Sequence, residues 1–188
     1  MSNYVPRLTA PDPTDPLWVN VGYGGYNKCI VRDSVTGCVL PNCTGYVHGR
    51  YMELSDTHDC PMYLGNADGY YGYTADGLPR GTEPQLGAVL CFSGGLAGHV
   101  CVVEEIIDAD TIRTSDSNYS SDYFTTYIRY RQYGWQWPGA NLTYQGCIYN
   151  PNIVYRKKLL LYLAAARKKR RKEAESYGIV DNRSTSGI

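Results

Sequence analysis

The stretch that most restricts the fold is a pair of strand patterns separated by a tight turn. His99-Val100-Cys101-Val102-Val103-Glu104-Glu105 is rich in β-branched residues, Asp108-Ala109-Asp110 carries turn chemistry, and Thr111-Ile112-Arg113-Thr114-Ser115-Asp116-Ser117-Asn118-Tyr119 follows. Strands joined so closely run antiparallel. With the turn centred between Ile107 and Ala109, paired residues have numbers that sum to about 215 to 217, which sets His99 across from Asp116, Ser117 or Asn118. A carboxylate or an amide then comes within reach of the imidazole, where it can fix the tautomer and stabilise the imidazolium. Gly87-Ala88-Val89-Leu90-Cys91-Phe92 is a further short apolar run, broken by Gly94-Gly95. Residues 123–133 are mixed but favour strand, and Thr143-Tyr144-Gln145-Gly146-Cys147-Ile148-Tyr149 reads as a closing strand stopped by Asn150-Pro151.

Ahead of these strands stands a helix pattern. Asn42 suits an N-cap, and Val47, Tyr51 and Leu54 follow at i, i+4 and i+7, so an amphipathic helix is predicted with Cys43 as its first residue. Unpaired N–H groups and the dipole at that end stabilise an anion, and the thiolate is the nucleophilic form of cysteine. A free cysteine is otherwise a small core residue. Of the histidines, His48 lies five residues beyond Cys43, about 140° around the helix axis, and does not face the thiol. His58 follows in a loop with no strand-borne partner. His99 is therefore the base that the pattern selects.

Length and charge set the remaining bounds. At 188 residues the chain suffices for one packed domain with something left over. Hydrophobic residues make up 43% and charged ones 19%, which suits a globular domain, while 19 tyrosines suit either a groove for polar polymers or packing at sheet faces. Seven cysteines include no CxxC pair, and no export signal opens the sequence, so free thiols in a reduced compartment are expected. Residues 1–151 carry eight Lys/Arg against fifteen Asp/Glu, a net of −7, and the last 37 residues hold the compensating +7. The acidic part disfavours nucleic acid as a partner, and no apolar run reaches the length of a membrane span.

Four stretches, taken together, resemble the CHAP domain, the cysteine- and histidine-dependent amidohydrolase/peptidase family of papain-like hydrolases. They are Asn42-Cys43-Thr44-Gly45-Tyr46 through Gly49-Arg50, Gly65-Asn66-Ala67, Gly87-Ala88-Val89 followed by Gly98-His99-Val100-Cys101-Val102-Val103-Glu104, and Ser115-Asp116-Ser117-Asn118-Tyr119. The ending Tyr144 to Pro151 is similar to the family's last strand. The resemblance implies an α+β, papain-like fold, with the nucleophile's helix packed on a central antiparallel sheet. It further implies that Cys43 attacks an amide carbonyl, that His99 moves the proton, and that Asp116 or Asn118 orients His99. Glu104, offset by an odd number from His99, points to the other sheet face and is structural. Some family members bind calcium, but Asp33, Asp56, Asp59, Asp68 and Asp76 form no oxygen-ligand loop of recognisable spacing, so no metal or other cofactor is expected.

Three segments follow from this. Residues 1–28, rich in proline, form an arm, residues 29–151 form the CHAP-like domain, and residues 152–188 form a basic extension. Strong helix formers from about residue 153 to 176 predict one helix there, with three readings: docking on the catalytic domain or another subunit through its Leu-rich segment, contact with anionic polymer or lipid, or a solvated charged helix. The irregular stretch 55–84 is expected to wall a binding cleft. The resemblance implies peptidoglycan as the substrate, cut as an N-acetylmuramoyl-L-alanine amidase or a peptide-bridge endopeptidase. A wall hydrolase without an export signal suggests a bacteriophage, as a lysin on the virion tail that meets other tail proteins through residues 1–28 and 152–188. An endolysin released from the host cytoplasm through a holin is the alternative, as is a structural virion protein with an inactive domain.

Overall fold

Asn42 starts the central helix of the computed structural model. Its side-chain oxygen accepts from the Gly45 N–H at 2.7 Å and from the Thr44 hydroxyl at 2.8 Å. Such a cap is worth about 1 kcal/mol and holds Cys43 at the first helical position. The helix, α1, spans Cys43–Leu54 and ends at Ser55, whose backbone is extended. The structure describes residues 4–12, 15, 42–118 and 124–153. The chain divides into two units, Met1–Ile153 and Val154–Ile188. The predicted basic helix past residue 153 and the segment joining residues 16 to 41 lie outside the described residues.

The stripe Val47, Tyr51, Leu54 is buried as expected, yet the helix is not amphipathic. Thr44, Tyr46, His48, Arg50 and Met52 are buried as well. The sheet covers one side, and the arm covers another. Tyr4 donates to the Val103 carbonyl at 2.9 Å and to Glu104 Oε2 at 2.7 Å, and the Arg7 N–H reaches the same oxygen at 2.9 Å. Arg50 Nη2 donates to the Val5 carbonyl at 2.7 Å. Glu104 is the hub of this contact. Arg50 grips it with Nε and Nη2 at 3.0 and 2.8 Å, and Ser115 donates to it at 2.6 Å. Glu104 thus lies on the helix side of the sheet, away from His99, as its strand parity requires.

Among the described residues, six strands form one antiparallel sheet: β1 (Arg80–Gly81), β2 (Val89–Gly94), β3 (His99–Ile106), β4 (Thr111–Asp116), β5 (Thr125–Tyr130) and β6 (Leu142–Ile148). Their spatial order is β1-β6-β2-β3-β4-β5. The β3–β4 register pairs Val102 with Ser115 and Val103 with Thr114, then shifts by one before Glu105 pairs with Arg113. The first two pairs fall within the sums read from the turn. Both faces are apolar. Val89, Cys91, Val100, Val102 and Ile148 pack with Tyr46, Val47, Tyr51 and Met52 of α1. Leu90, Phe92, Cys101, Val103, Ile112, Trp135 and Cys147 form the core of the other face. Burial on both faces explains why β2 and β3 read as continuous apolar runs rather than alternating ones. The segment 55–79 is irregular apart from a 3-10 turn at Ala67–Gly69. Arg80 staples its far end, donating to Asp76 at 2.7 and 2.9 Å and to the carbonyls of Tyr70, Tyr71, Tyr73 and Leu78.

Candidate active site

The thiol of Cys43 and the imidazole of His99 come from two different elements, the first turn of α1 and the first residue of β3. They meet because both sit at the same end of their elements. Gly98, directly before His99, has φ of +73°. A Cβ there would stand 2.5 Å from the Phe92 carbonyl oxygen and 2.6 Å from the Asp68 nitrogen. Asp68 in turn donates its N–H to the Ala97 carbonyl at 2.9 Å. Only glycine allows the turn after β2 to close this tightly, so the backbone before His99 is wedged against the 3-10 turn.

His99 is buried, and its Nε2–H donates to Asp116 Oδ2 at 2.8 Å. The Cys43 side chain hydrogen-bonds the same imidazole. Continuing the β3–β4 register puts Asn118, half-buried, across from His99 and puts Asp116 across from Cys101. The hydrogen bond nevertheless runs to Asp116, which is diagonal to His99 and on the same face. Thr114 holds the other carboxylate oxygen, donating to Oδ1 at 2.6 Å. All four predicted site residues, Cys43, His99, Asp116 and Asn118, thus lie in one region.

Charge binds the set. Burial opposes ionisation of Cys43, but the hydrogen bond and charge of His99, with the backbone of Val100 and Thr44, lower its pKa from the ordinary value. Burial likewise opposes the imidazolium, yet the Asp116 carboxylate and Cys43 outweigh it and raise His99 to about 9. Asp116 is pushed up by burial and pulled down further by Arg129, His99 and Thr114, so it stays ionised. Each ion exists because its neighbour is charged.

The other two histidines are placed otherwise. His48 Nε2 bonds the Tyr63 carbonyl at 2.9 Å, and burial lowers its pKa to about 4, so it packs as a neutral ring. His58, in the left-handed region at φ 52°, bonds the Met52 carbonyl through Nδ1 at 3.1 Å.

Sequence reasoning missed the residues behind Asp116. Arg129 of β5 is buried and ion-paired with Asp116 Oδ2, and its Nε donates to Thr114 at 2.8 Å. Trp137 sets its ring against His99, with centroids 5.4 Å apart at 81°, and stacks on Tyr127. The alternation Tyr127, Arg129, Arg131 offered a signal, but parity does not tell which arginine is buried. Arg131 is exposed and pairs with Glu83.

Among the described residues, His99, Cys101 and Asp116 are the one group whose donor atoms lie close enough to hold a metal ion, within 4.8 Å of one another. The donor set does not fit that use. The Asp116 oxygen that bonds His99 also bonds the Arg129 guanidinium, which opposes a second cation, and burial keeps the Cys101 thiol protonated. No helix among the described residues is long and apolar enough to cross a membrane.

Compared with known protein families, residues 33–118 match the family model described as CHAP domain. No solved structure matches the chain.

Proposed function

The chain carries a CHAP domain, which implies a peptidoglycan amidase- or peptidase-type hydrolase, and from that premise we propose that Cys43, His99 and Asp116 carry out the cleavage. The observation that supports this assignment most is the contact of Cys43 with a histidine whose Nε2 is held by a buried carboxylate. The Cys43 thiolate attacks the amide carbonyl carbon. The tetrahedral oxyanion forms beside the N-terminus of α1, where backbone N–H groups and the dipole favour negative charge. Collapse breaks the C–N bond, and the His99 imidazolium gives its proton to the leaving amine. A thioester remains. His99, now neutral, takes a proton from water, and the hydroxide attacks the thioester to release the acid and restore the thiolate. Asp116 keeps the Nε2–H tautomer fixed and stabilises the imidazolium, while Asn118 borders this pair without the hydrogen bond to the ring.

The finer assignment is a lysin borne on a bacteriophage tail. It is supported by the material outside residues 33–118, an arm and a +7 extension suited to contacts with other virion proteins. The segment 55–84, with its Tyr63, Tyr70 and Tyr73 ring contacts, suits one wall of a groove for the glycan or its peptides.

Digestion of purified Gram-positive and Gram-negative peptidoglycan by wild type and Cys43→Ala, with mass spectrometry of the fragments, tests this function. Wild type is expected to release fragments that Cys43→Ala does not. New muramoyl ends identify an amidase, and new amino ends within the stem or bridge identify an endopeptidase. Walls left intact by both proteins would overturn the hydrolase assignment in favour of a structural role.

A further inference from the structure

Arg129 stands behind the site rather than in it, yet its contacts are unusually complete. Nη2 pairs with Asp116 Oδ2, Nε donates to Thr114 Oγ1 at 2.8 Å, and Nη1 donates to the Trp135 carbonyl at 3.1 Å. The guanidinium carbon lies 5.5, 5.4 and 5.1 Å from the ring centroids of Phe92, Tyr127 and Trp137. Thr114 relays the same cation to the other carboxylate oxygen through its 2.6 Å bond to Oδ1. Both oxygens of Asp116 are thus set by Arg129, one directly and one through Thr114.

We propose that Arg129 is a positioning residue that completes a buried row of alternating charge, Cys43, His99, Asp116 and Arg129, and so sets the pH at which the nucleophile ionises. The inference rests on the assignment of Cys43 and His99 as the reacting pair. With all four groups ionised the row is neutral, whereas without Arg129 it carries one negative charge in a setting that screens charge weakly. The least costly relief is for the site to keep a proton to higher pH. Asp116 lies below the usual carboxylate range, with the Arg129 charge foremost among the effects that hold it there against burial. The other ionisable groups around the row are Cys101 of β3, which burial keeps neutral, and Tyr127 of β5. Glu104 is on the opposite face of the sheet with its own partner, Arg50. Among the described residues, no other cation pairs with Asp116.

Alkylation of Cys43 by iodoacetamide against pH, read by peptide mass spectrometry on the full chain, tests the proposal without any wall substrate. Arg129→Met and Arg129→Gln are expected to raise the midpoint of the acid limb by about one pH unit, so that labelling about one unit below the wild-type midpoint drops about tenfold. Arg129→Lys restores the charge without the fork and is expected to keep the wild-type midpoint, with slower labelling at the plateau. Thermal melts accompany each variant. A wild-type midpoint in either folded neutral variant, whatever its melting temperature, would overturn the proposal, as would failure of both neutral variants to fold. Failure of the hydrolase assignment is seen separately. Intact peptidoglycan together with a shifted midpoint would remove the substrate and leave the role of Arg129 standing.

Discussion

His99→Ala is expected to lower amide hydrolysis about 10⁴-fold while leaving the protein folded. Two losses combine. The proposed base is gone, and Cys43 loses the hydrogen bond and charge of His99 that lower its pKa against burial. The ring stands at the first residue of β3, and the β2–β3 register pairs its backbone with Phe92 whatever the side chain is. The strand therefore forms without the imidazole. Rates on purified walls beside a far-ultraviolet spectrum check both halves. Activity within tenfold of wild type would show that another group, not His99, moves the proton.

Glu104→Ala carries the largest expected cost in stability, about 3–5 kcal/mol by denaturant unfolding. The glutamate is fully buried and accepts from Arg50, Ser115, Tyr4 and the Arg7 N–H. Its removal leaves the Arg50 guanidinium buried with Glu53 as its remaining carboxylate partner and takes the acceptor from the Tyr4 hydroxyl and the Arg7 N–H, with the Arg7 guanidinium still paired to Glu53. Glu104→Gln keeps the shape and two of the acceptor contacts, so it is expected to cost less. A loss below about 1 kcal/mol for the alanine variant would mean that the cluster relaxes and admits water.

The two variants divide one strand between the proposed chemistry and the architecture, and strand parity placed the two residues on opposite faces beforehand. His99 and Glu104 are five residues apart, so they face opposite ways, and the sequence alone assigned Glu104 to structure. The Cys43 helix was equally readable, since Asn42 is a strong cap and the stripe behind it has helical period. What the stripe concealed was burial of the remaining faces, because cover by residues 4–8 is a contact made across 40 residues or more of sequence and leaves no local mark. The Asp116 and Asn118 alternatives stayed open for a related reason. Register places Asn118 opposite His99, and a diagonal contact prevails because Arg129 and Thr114 hold the Asp116 carboxylate in place. An arginine on an edge strand most often marks a solvated face, and nothing in residues 125–130 announces that Arg129 is covered by Trp135 and Trp137.

Ionisation of Cys43 in the folded protein is the point on which the chemistry turns. The thiol is lowered and His99 is raised to about 9, so a thiolate and an imidazolium coexist between the two values. The signs fix the limbs. As pH falls below the Cys43 value the thiolate takes up a proton, and as pH rises past about 9 the imidazolium gives its proton up while the thiolate remains. Thiolate absorbance near 240 nm, taken as wild type minus Cys43→Ala from pH 4 to 10, reads this directly. The expected result is a thiolate signal already present at pH 7, with its midpoint below the ordinary cysteine value of about 8.5. A single titration at or above that value would contradict the ion pair and, with it, the assignment of Cys43 as the nucleophile.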